Sequence, residues 1–320
     1  MRTALNAPHP RLDEFRAWLA GPGLPPALQQ AERLRWRLLP GSAVNLRLRV
    51  WGTTPTGAQQ WFVRFAGNSS AALGAHFAPE ALVHAAAAAA RLAPTLVHAD
   101  AARGVLVSEW WAGKPWRWRQ ARRGIAVFAA LVARLHAIPV PAGLPALDPA
   151  KAARHLLTQL PFADHAANTL HSAAVRAMHS ALVRAAPDPA EAPLQDAKRS
   201  NAGAAPLPQV LIHSDPHAGN ILQAADGSLR LVDFEYAGSG APVHDLAVFA
   251  TSHDLSHPQR QALLAAYAAA GGCSMTPGEL AHACGVADAL WLAWTARVHG
   301  ARWLEQPRAR RVAARLAALS

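Results

Sequence analysis

Over the first 112 residues, hydrophobic positions occur in short runs that are typical of β-strands and are separated by turn-forming residues. The clearest runs cover 44–51 and 60–65, and the segment between them is rich in Gly, Thr and Pro, so the pair predicts a hairpin. An alanine-rich helix with a proline at its first position is predicted over 79–92. The elements predicted in this part of the chain are helices over 12–19 and 79–92 and strands over 44–51, 60–65, 95–98 and 104–110.

From residue 113 onward, the hydrophobic positions recur at the spacing of an α-helix. Helices are predicted over 125–136, 149–160, 166–185, 259–270 and 278–303. The segment 187–208 is rich in Pro, Ala and polar residues and is predicted to be a surface loop. The whole pattern predicts an α+β fold, with a small N-terminal β-sheet lobe over 1–112 and a larger, mainly helical lobe over 113–320.

The chain carries a formal net charge of +11, which favours an anionic partner such as a nucleic acid or a nucleoside triphosphate. Its densest basic stretch, 114–123, interleaves Trp with Arg, and such a pattern could stack on bases. No nucleic-acid-binding fold signature accompanies the stretch, so it is interpreted as the solvated start of a helix. A second basic run, 308–315, is interpreted as the outer face of a terminal helix. Nucleic acid is therefore a disfavoured partner.

Several classes of protein are disfavoured by what the sequence lacks. No apolar tract approaches the length of a membrane span, and residues 1–15 contain no apolar core of a signal peptide. Cys273 and Cys284 fit neither a disulfide framework nor a zinc site, which favours a reducing compartment. These features lead us to expect a cytoplasmic protein without a membrane partner.

The segment 210–236 combines short apolar strands with polar residues at their ends. His213, Asp215 and Asn220 have the spacing of the kinase catalytic loop, in which the Asp is the base and the Asn binds metal. A strand, a turn and a second strand then lead to Asp233, in the place of the metal-binding Asp of the kinase DFG triplet. Phosphoryl transfer needs a carboxylate that accepts the proton of the attacking hydroxyl, and oxygen ligands that hold Mg²⁺ on the phosphates. The pattern predicts an ATP- and Mg²⁺-dependent kinase with Asp215 and His213 as catalytic-loop residues and Asn220 and Asp233 as metal ligands.

The same segment resembles the aminoglycoside phosphotransferase and choline kinase superfamily. The runs 215–220 and 233–238 look most like those of bacterial thiamine kinases, and choline kinases share the acid two positions after the metal-binding Asp. The resemblance is tight over 209–250, looser over 44–139, and returns in a Trp-rich helix near the C-terminus. It implies a protein-kinase-like, two-lobed fold with ATP between the lobes, and phosphorylation of the hydroxyl of a small molecule.

Five further residues match nucleotide-binding positions of kinases. Arg64 stands where kinases place the strand lysine that binds the α- and β-phosphates, although a plain surface arginine remains the alternative. Glu80 is expected either to pair with Arg64 or only to stabilise the first turn of its helix. The glycine-rich loop is reduced to a single glycine in the segment that ends at Asn45, whose backbone could still contact phosphate. Glu109 and Trp110 lie where kinases contact adenine through backbone groups.

Two residues are predicted to support the catalytic loop. His136 belongs to a Leu-His pair that recurs in the family on a helix behind this loop, and it is expected to be a core histidine bonded to backbone. Asp245 also matches a family position, and it is expected to brace the loop around His213.

The acceptor alcohol is expected to be cationic. Trp291 and Trp294 share one helical face, and choline kinases carry a similar Trp pair around a quaternary ammonium group, although core packing is the alternative. Glu235 could add a carboxylate that faces the substrate. Thiamine is the first expected acceptor, choline or ethanolamine the second, and an aminoglycoside-type antibiotic or sugar the third. A kinase-fold protein that only binds nucleotide or nucleic acid stays open as another class, although the intact set of acidic and amide residues argues against it.

Overall fold

The structure, a computed structural model, describes residues 9–40, 44–67, 69–160, 169–185 and 207–318. The chain forms two compact units: the first comprises Met1–Lys114 and Gln223–Glu235, and the second comprises Pro115–Leu222 and Tyr236–Ser320. The sequence predicts one division near residue 112, whereas in the structure the short segment that carries Asp233 and Glu235 belongs to the first unit. The predicted loop over 187–208 lies almost entirely outside the described residues.

The strands are β1 (Glu32–Leu38), β2 (Leu46–Thr54), β3 (Gly57–Phe65), β4 (Leu96–Asp100), β5 (Val105–Glu109), β6 (Lys114–Pro115), β7 (Val210–Ile212), β8 (Ile221–Gln223), β9 (Leu229–Leu231) and β10 (Gly238–Gly240). The helices are α1 (Leu12–Ala20), α2 (Pro26–Gln29), α3 (Phe77–Ala89), α4 (Trp118–Arg123), α5 (Ile125–His136), α6 (Pro149–Thr158), α7 (Thr169–Ala185), α8 (Val243–Ser252), α9 (His257–Ala269), α10 (Pro277–His299) and α11 (Pro307–Ala317).

The first unit is built on an antiparallel five-stranded sheet with the order β1-β2-β3-β5-β4. The predicted hairpin is β2–β3, in which Leu46 pairs with Phe65 and Thr54 with Gly57. Side chains of a strand alternate between the two faces, and here one face is buried beneath α1 and α2 in a cluster that includes Phe15. The other face includes Arg47, Arg49 and Arg64.

Strand β1 is absent from the elements that the sequence predicts. Its sequence alternates apolar and charged residues, but four of its seven residues are charged, and its outer end stays exposed. The strand forms because it pairs antiparallel with β2, with Trp36 opposite Val50 and Leu38 opposite Leu48. Cross-strand pairing therefore outweighs the weak hydrophobic pattern of the segment itself.

The second unit is mainly helical, as predicted. Its apolar core is formed largely by α6, α7, α10 and α11, and includes Trp303, which lies in a 3₁₀ segment between α10 and α11. The basic face of α11 also makes specific contacts, since Arg315 binds the buried Asp288 of α10 through two nitrogen–oxygen contacts of 2.7 Å. Among the described residues, no helix combines the length and apolar character needed to cross a membrane.

The Trp- and Arg-rich stretch 114–123 forms the short strand β6 and the short helix α4 rather than an open platform for bases. The guanidinium of Arg122 lies 4.7 Å from the centre of the Trp118 ring and donates a 2.8 Å hydrogen bond to the carbonyl of His253. This Trp–Arg pair is thus used within the protein, in agreement with the interpretation as the start of a helix.

Candidate active site

The catalytic-loop segment begins where β7 ends, in the second unit. β7 pairs antiparallel with β10, and the chain then turns at Ser214, whose φ of 68° lies in the left-handed region. A non-glycine residue rarely adopts this conformation unless neighbouring contacts hold it there. Asp245 supplies those contacts, because its carboxylate accepts hydrogen bonds from the amides of His213 at 2.8 Å and Ser214 at 2.7 Å.

Asp245 is fully buried and is linked to a second layer of polar side chains. Its Oδ2 lies 3.1 Å from Nε2 of His136, whose Nδ1 lies 2.7 Å from the hydroxyl of Tyr267. Burial acts to raise the pKa of Asp245, but the hydrogen bond and charge of His136 outweigh it and the net shift is downward. His136 is a core histidine as expected, although its partners are side chains and not the backbone. These contacts support the bracing role predicted for Asp245.

Asp215 is held by its neighbours in the loop while its carboxylate stays accessible. The side-chain amide of Asn220 donates to the carbonyl of Asp215 at 3.0 Å and to its Oδ2 at 3.2 Å. The same Oδ2 lies 3.5 Å from Nε2 of His217, and 36% of the Asp215 side chain is exposed. A general base needs this combination, since it must be oriented and also within reach of the substrate hydroxyl.

His213 is fully buried, and its Nδ1 accepts a 3.3 Å hydrogen bond from the amide of Asp215. Its imidazole therefore contacts the backbone of the loop and not solvent. We expect His213 to act by holding Asp215 in place.

His253 is a supporting residue that the sequence analysis did not assign to the site. Only 2% of His253 is exposed. Its Nε2 accepts a 3.1 Å hydrogen bond from the amide of Ala218, in the short 3₁₀ turn Ala218–Asn220, and its Nδ1 lies 2.7 Å from the carbonyl of Phe249. One acceptor and one donor nitrogen define a single neutral tautomer. The sequence offers no spacing signal for this contact, because it joins positions 35 residues apart.

This contact predicts an acid-dependent loss of stability. Burial lowers the pKa of His253 from 6.5 to about 4. The unfolded chain therefore binds this proton below about pH 6.5 while the folded protein does not until about pH 4, so stability falls as pH falls through that window. His253→Gln keeps an acceptor and a donor but does not titrate. We expect wild type to lose about 2 kcal/mol more unfolding free energy than His253→Gln between pH 7 and pH 5.

Denaturant unfolding at the two pH values measures this difference. His257→Gln is the matched control, because His257 is exposed at the start of α9. Equal pH dependence in wild type and His253→Gln would contradict the proposed contact.

A second group of predicted residues lies together in the first unit, around Arg64. Its guanidinium binds Glu80 through Nη2 and Glu235 through Nη1, the latter at 3.1 Å. Asp233 lies 3.6 Å from the same Nη1. Both Arg64 and Glu80 are almost fully buried. The Glu80–Arg64 pair is therefore present, which decides between the two alternatives that the sequence left open.

The charges of this group are strongly coupled. Burial acts to lower the pKa of Arg64, but Glu80, Asp233 and Glu235 outweigh it and raise the pKa overall. Burial and then the charge of Asp233 raise the pKa of Glu235 to about 7, although Arg64 and Asn45 oppose the shift. Asp233 has a φ of 69°, in the left-handed region, two residues after the end of β9. Three carboxylates around one guanidinium leave an excess of negative charge, which favours a cation.

Asn45 connects this group to the turn after β3. Its Nδ2 donates to Glu235 at 2.8 Å, while its Oδ1 accepts from the amide of Gly67 at 2.9 Å and from the hydroxyl of Ser70 at 3.1 Å. Glu235 thus lies with Arg64 and Asn45, and its predicted contact with the substrate stays a prediction.

Glu109 and Trp110 end the sheet at β5. Their amides donate to the carbonyls of Thr95 and Gln60, each at 2.9 Å. An adenine contact by these two residues would therefore use their carbonyl oxygens.

The predicted substrate residues of α10 lie in different surroundings. The guanidinium carbon of Arg308 lies 4.1 Å from the centre of the Trp291 ring, so a cation of the protein already covers that face. Trp294 donates from Nε1 to the hydroxyl of Tyr236 at 2.9 Å, and its side chain is only partly buried. Burial lowers the pKa of Arg308, while the charge of Asp215 is the largest opposing influence. Arg308 is thus a positive charge in the field of Asp215 that the sequence analysis did not assign to the site.

The predicted magnesium ligands fit the chemistry of that ion. Among the described residues there is no cluster of three or more His, Cys, Asp or Glu that could hold a metal. Mg²⁺ does not require one, because it is commonly bound by one or two protein oxygens together with waters and substrate phosphates. Asp233 offers a carboxylate that is 24% exposed, and Asn220 uses its amide nitrogen on Asp215, so the predicted metal contact of Asn220 would use its amide oxygen.

Comparison with known proteins identifies the family to which this chain is similar. Residues 35–283 match the model of the family described as "Phosphotransferase enzyme family". No curated protein sequence matches the chain significantly.

Solved structures share the fold. A choline/ethanolamine kinase family protein from Mesorhizobium loti is 23% identical with a TM-score of 0.62, over 96% of this chain and 99% of that one. The choline kinase LicA from Streptococcus pneumoniae is 16% identical with a TM-score of 0.68, over 97% of this chain and 99% of that one. The structure of LicA in complex with AMP is 15% identical with a TM-score of 0.67, over 92% of this chain and 96% of that one. The macrolide 2'-phosphotransferase MphH from Brachybacterium faecium is 17% identical with a TM-score of 0.56, over 96% and 97%.

These structures establish the expected protein-kinase-like α+β fold, with a small antiparallel sheet and a mainly helical remainder. The family match covers most of the chain and includes the whole of the segment 210–236. The chain therefore belongs to the phosphotransferase enzyme family and is a small-molecule phosphotransferase.

Proposed function

We propose that this enzyme transfers the γ-phosphoryl group of ATP to the hydroxyl of a small-molecule alcohol. The observation that carries the proposal is the held but accessible carboxylate of Asp215, which contacts Asn220 and stands on a loop braced by Asp245. In this role Asp215 orients the attacking hydroxyl and accepts its proton as the new phosphate ester bond forms. His213 and Asp245 hold the loop.

The nucleotide assignment rests on the group around Arg64. Kinases pair a strand cation with a helix acid, and the buried Arg64–Glu80 pair has this composition. The fold relative LicA has been crystallised with AMP, which supports an adenine nucleotide as the donor. When bound, Mg²⁺ would neutralise charge on the phosphates, with Asp233 and Asn220 as its protein ligands.

For the acceptor, we favour a cationic alcohol, with thiamine first and choline or ethanolamine second. Thiamine is favoured by the sequence of the catalytic segment, and choline or ethanolamine by the names of two fold relatives. Because Arg308 covers the ring of Trp291, Trp294 is the aromatic side chain of the predicted pair that we assign to the cation.

A neutral or anionic alcohol, such as a sugar without amino groups, is the second candidate. Arg308 favours it, because its guanidinium covers the ring of Trp291 and would repel a cationic acceptor there while attracting an anionic one. A fold relative is a macrolide 2'-phosphotransferase, so the fold is not restricted to thiamine, choline or ethanolamine as acceptors.

A coupled assay of ADP release with a panel of alcohols tests the proposal. The panel contains thiamine, choline, ethanolamine, aminoglycosides, macrolides and amino sugars as cationic alcohols, with glucose as a neutral and gluconate as an anionic alcohol, each with ATP and Mg²⁺. Turnover that depends on a cationic alcohol supports the first candidate, and turnover with a neutral or anionic alcohol supports the second. ATP consumption that no alcohol stimulates, together with phosphorylation of none of them by mass spectrometry, would contradict the proposed function.

The role of Trp294 can be separated from core packing. Trp294→Leu keeps apolar bulk but removes the π-face, so we expect KM for a cationic acceptor to rise about fivefold while KM for ATP stays the same. Trp291→Leu is the matched control, because the ring of Trp291 is covered by Arg308. Steady-state kinetics of both variants measure the effect. A lower Tm with unchanged acceptor KM in Trp294→Leu would show that the residue serves packing alone.

A further inference from the structure

One face of the five-stranded sheet carries several arginines. In the register of the sheet, Arg37 is opposite Arg49 and Arg47 is opposite Arg64. Directly paired residues of antiparallel strands project to the same face. This face is opposite the one that α1 and α2 cover, and it includes Arg64, to which the proposed function assigns nucleotide binding.

Arg47 and Arg64 form one of these two cross-strand pairs. Their β-carbons are expected about 5 Å apart as cross-strand partners, where like charges destabilise a sheet unless an anion or a carboxylate compensates them. In both side chains, Nε is buried and has no hydrogen-bond partner among the described residues. Buried donors without partners are rare and costly; because protein atoms cover each Nε, an anion would reach these side chains through their terminal nitrogens and would offset that cost through its charge.

The two arginines differ in how their charge is compensated. Arg64 has Glu80, Glu235 and Asp233 within 4.0 Å of its terminal nitrogens. Arg47 donates from Nη2 to the carbonyl of Pro40 at 2.8 Å, but among the described residues it forms no ion pair with a carboxylate. Arg47 is therefore the arginine of this pair that has no carboxylate partner among the described residues.

The neighbouring Arg49 has other partners. It donates from Nε to Oε1 of Gln60 at 3.0 Å, and its guanidinium carbon lies 4.6 Å from the centre of the Trp110 ring. The side chain of Arg49 thus contacts Gln60 and Trp110, whereas Arg47 donates to one backbone carbonyl. Arg47 is therefore the arginine of this face that is best suited to bind an anion.

We propose that Arg47 is a second phosphate-binding residue for the nucleotide, acting beside Arg64. The inference rests on the proposed function, which places nucleotide phosphates near Arg64. It also accounts for a departure from kinases: the segment before β2 has only one glycine, so its sequence is less suited to a close approach of backbone to phosphate, and a guanidinium from β2 would supply further donors. The ligand class is a nucleoside di- or triphosphate, because two arginines on adjacent strands suit a chain of phosphate groups.

Arg47→Gln tests this inference, with Arg37→Gln as the matched control. Arg37 lies on the same face, is exposed, and loses the same charge in its variant. We expect Arg47→Gln to weaken ATP and ADP binding about tenfold and to leave adenosine binding unchanged, because only the phosphates are contacted. Arg37→Gln should bind all three like wild type. Isothermal titration of the purified full chain with each nucleotide gives the dissociation constants.

Arg47→Lys and a Tm measurement distinguish a loss of phosphate binding from a folding defect. Lysine keeps the charge but loses the planar fork, so a loss of ATP affinity between those of wild type and Arg47→Gln supports phosphate binding. Unchanged ATP affinity in Arg47→Gln, or an equal loss for adenosine, overturns the inference while the proposed function stands. If wild type itself binds no ATP, the proposed function is overturned, and the assignment of Arg47 to a nucleotide is overturned with it.

Discussion

Replacing Asp215 with Asn is expected to lower turnover by roughly 10²–10⁴-fold, the usual contribution of general base catalysis. Asparagine has nearly the same shape and still accepts a hydrogen bond at Oδ1, so the contact with Asn220 and the course of the loop can persist. What is lost is a carboxylate that can take the proton of the attacking hydroxyl. Nucleotide affinity should change little, because the group around Arg64 is untouched. Steady-state kcat and calorimetric ATP affinity measure the two effects.

Asp226→Asn is the matched control for this experiment. Asp226 lies in the turn between β8 and β9, where it accepts a 2.9 Å hydrogen bond from the amide of Ser228. The same substitution there removes a carboxylate from the same segment without touching the catalytic loop, so activity should stay at the wild-type level. Retention of more than about a third of wild-type turnover in Asp215→Asn would show that another group is the base.

The parts of the fold that were predictable are those with a strong local pattern. The hairpin β2–β3 has regular strands around a short turn, and α5 has the predicted bounds. Strand β1 was missed because charged residues dominate it and only its pairing with β2 makes it a strand. Helix α8 was also missed. It follows the catalytic segment closely in the sequence, and it carries the buried Asp245 and the neighbouring His244.

The candidate catalytic segment could be recognised in the sequence for a similar reason, because all the residues of its motif lie within about 25 consecutive positions. The surrounding contacts could not, because they join distant positions. Arg47 becomes a candidate only through the register that sets it opposite Arg64, and Arg308 only through its approach to Trp291. A surface arginine and a ligand-binding arginine have the same sequence pattern, and their difference lies in the tertiary contacts.

Removing the carboxylate of Asp233 is expected to abolish measurable activity at any practical Mg²⁺ concentration. Asp233 is the proposed main protein ligand of the metal, and Asn220 offers only a neutral amide oxygen. Asn220→Ala should therefore keep some activity that excess Mg²⁺ or Mn²⁺ partly restores, whereas an Asp233 variant should not recover. Activity measured across a series of metal concentrations distinguishes the two variants.

The backbone at Asp233 decides which substitution to use. Its φ of 69° is strained for alanine, whereas asparagine adopts the left-handed region more easily, so Asp233→Asn separates the loss of charge from backbone strain. If Asp233→Ala and Asp233→Asn lose activity alike while only the alanine variant has a lowered Tm, the carboxylate itself is required. The metal assignment predicts that calorimetry will show weaker binding of Mg-ATP to Asp233→Asn. Unchanged Mg-ATP affinity together with full activity in Asp233→Asn would exclude Asp233 as the metal ligand.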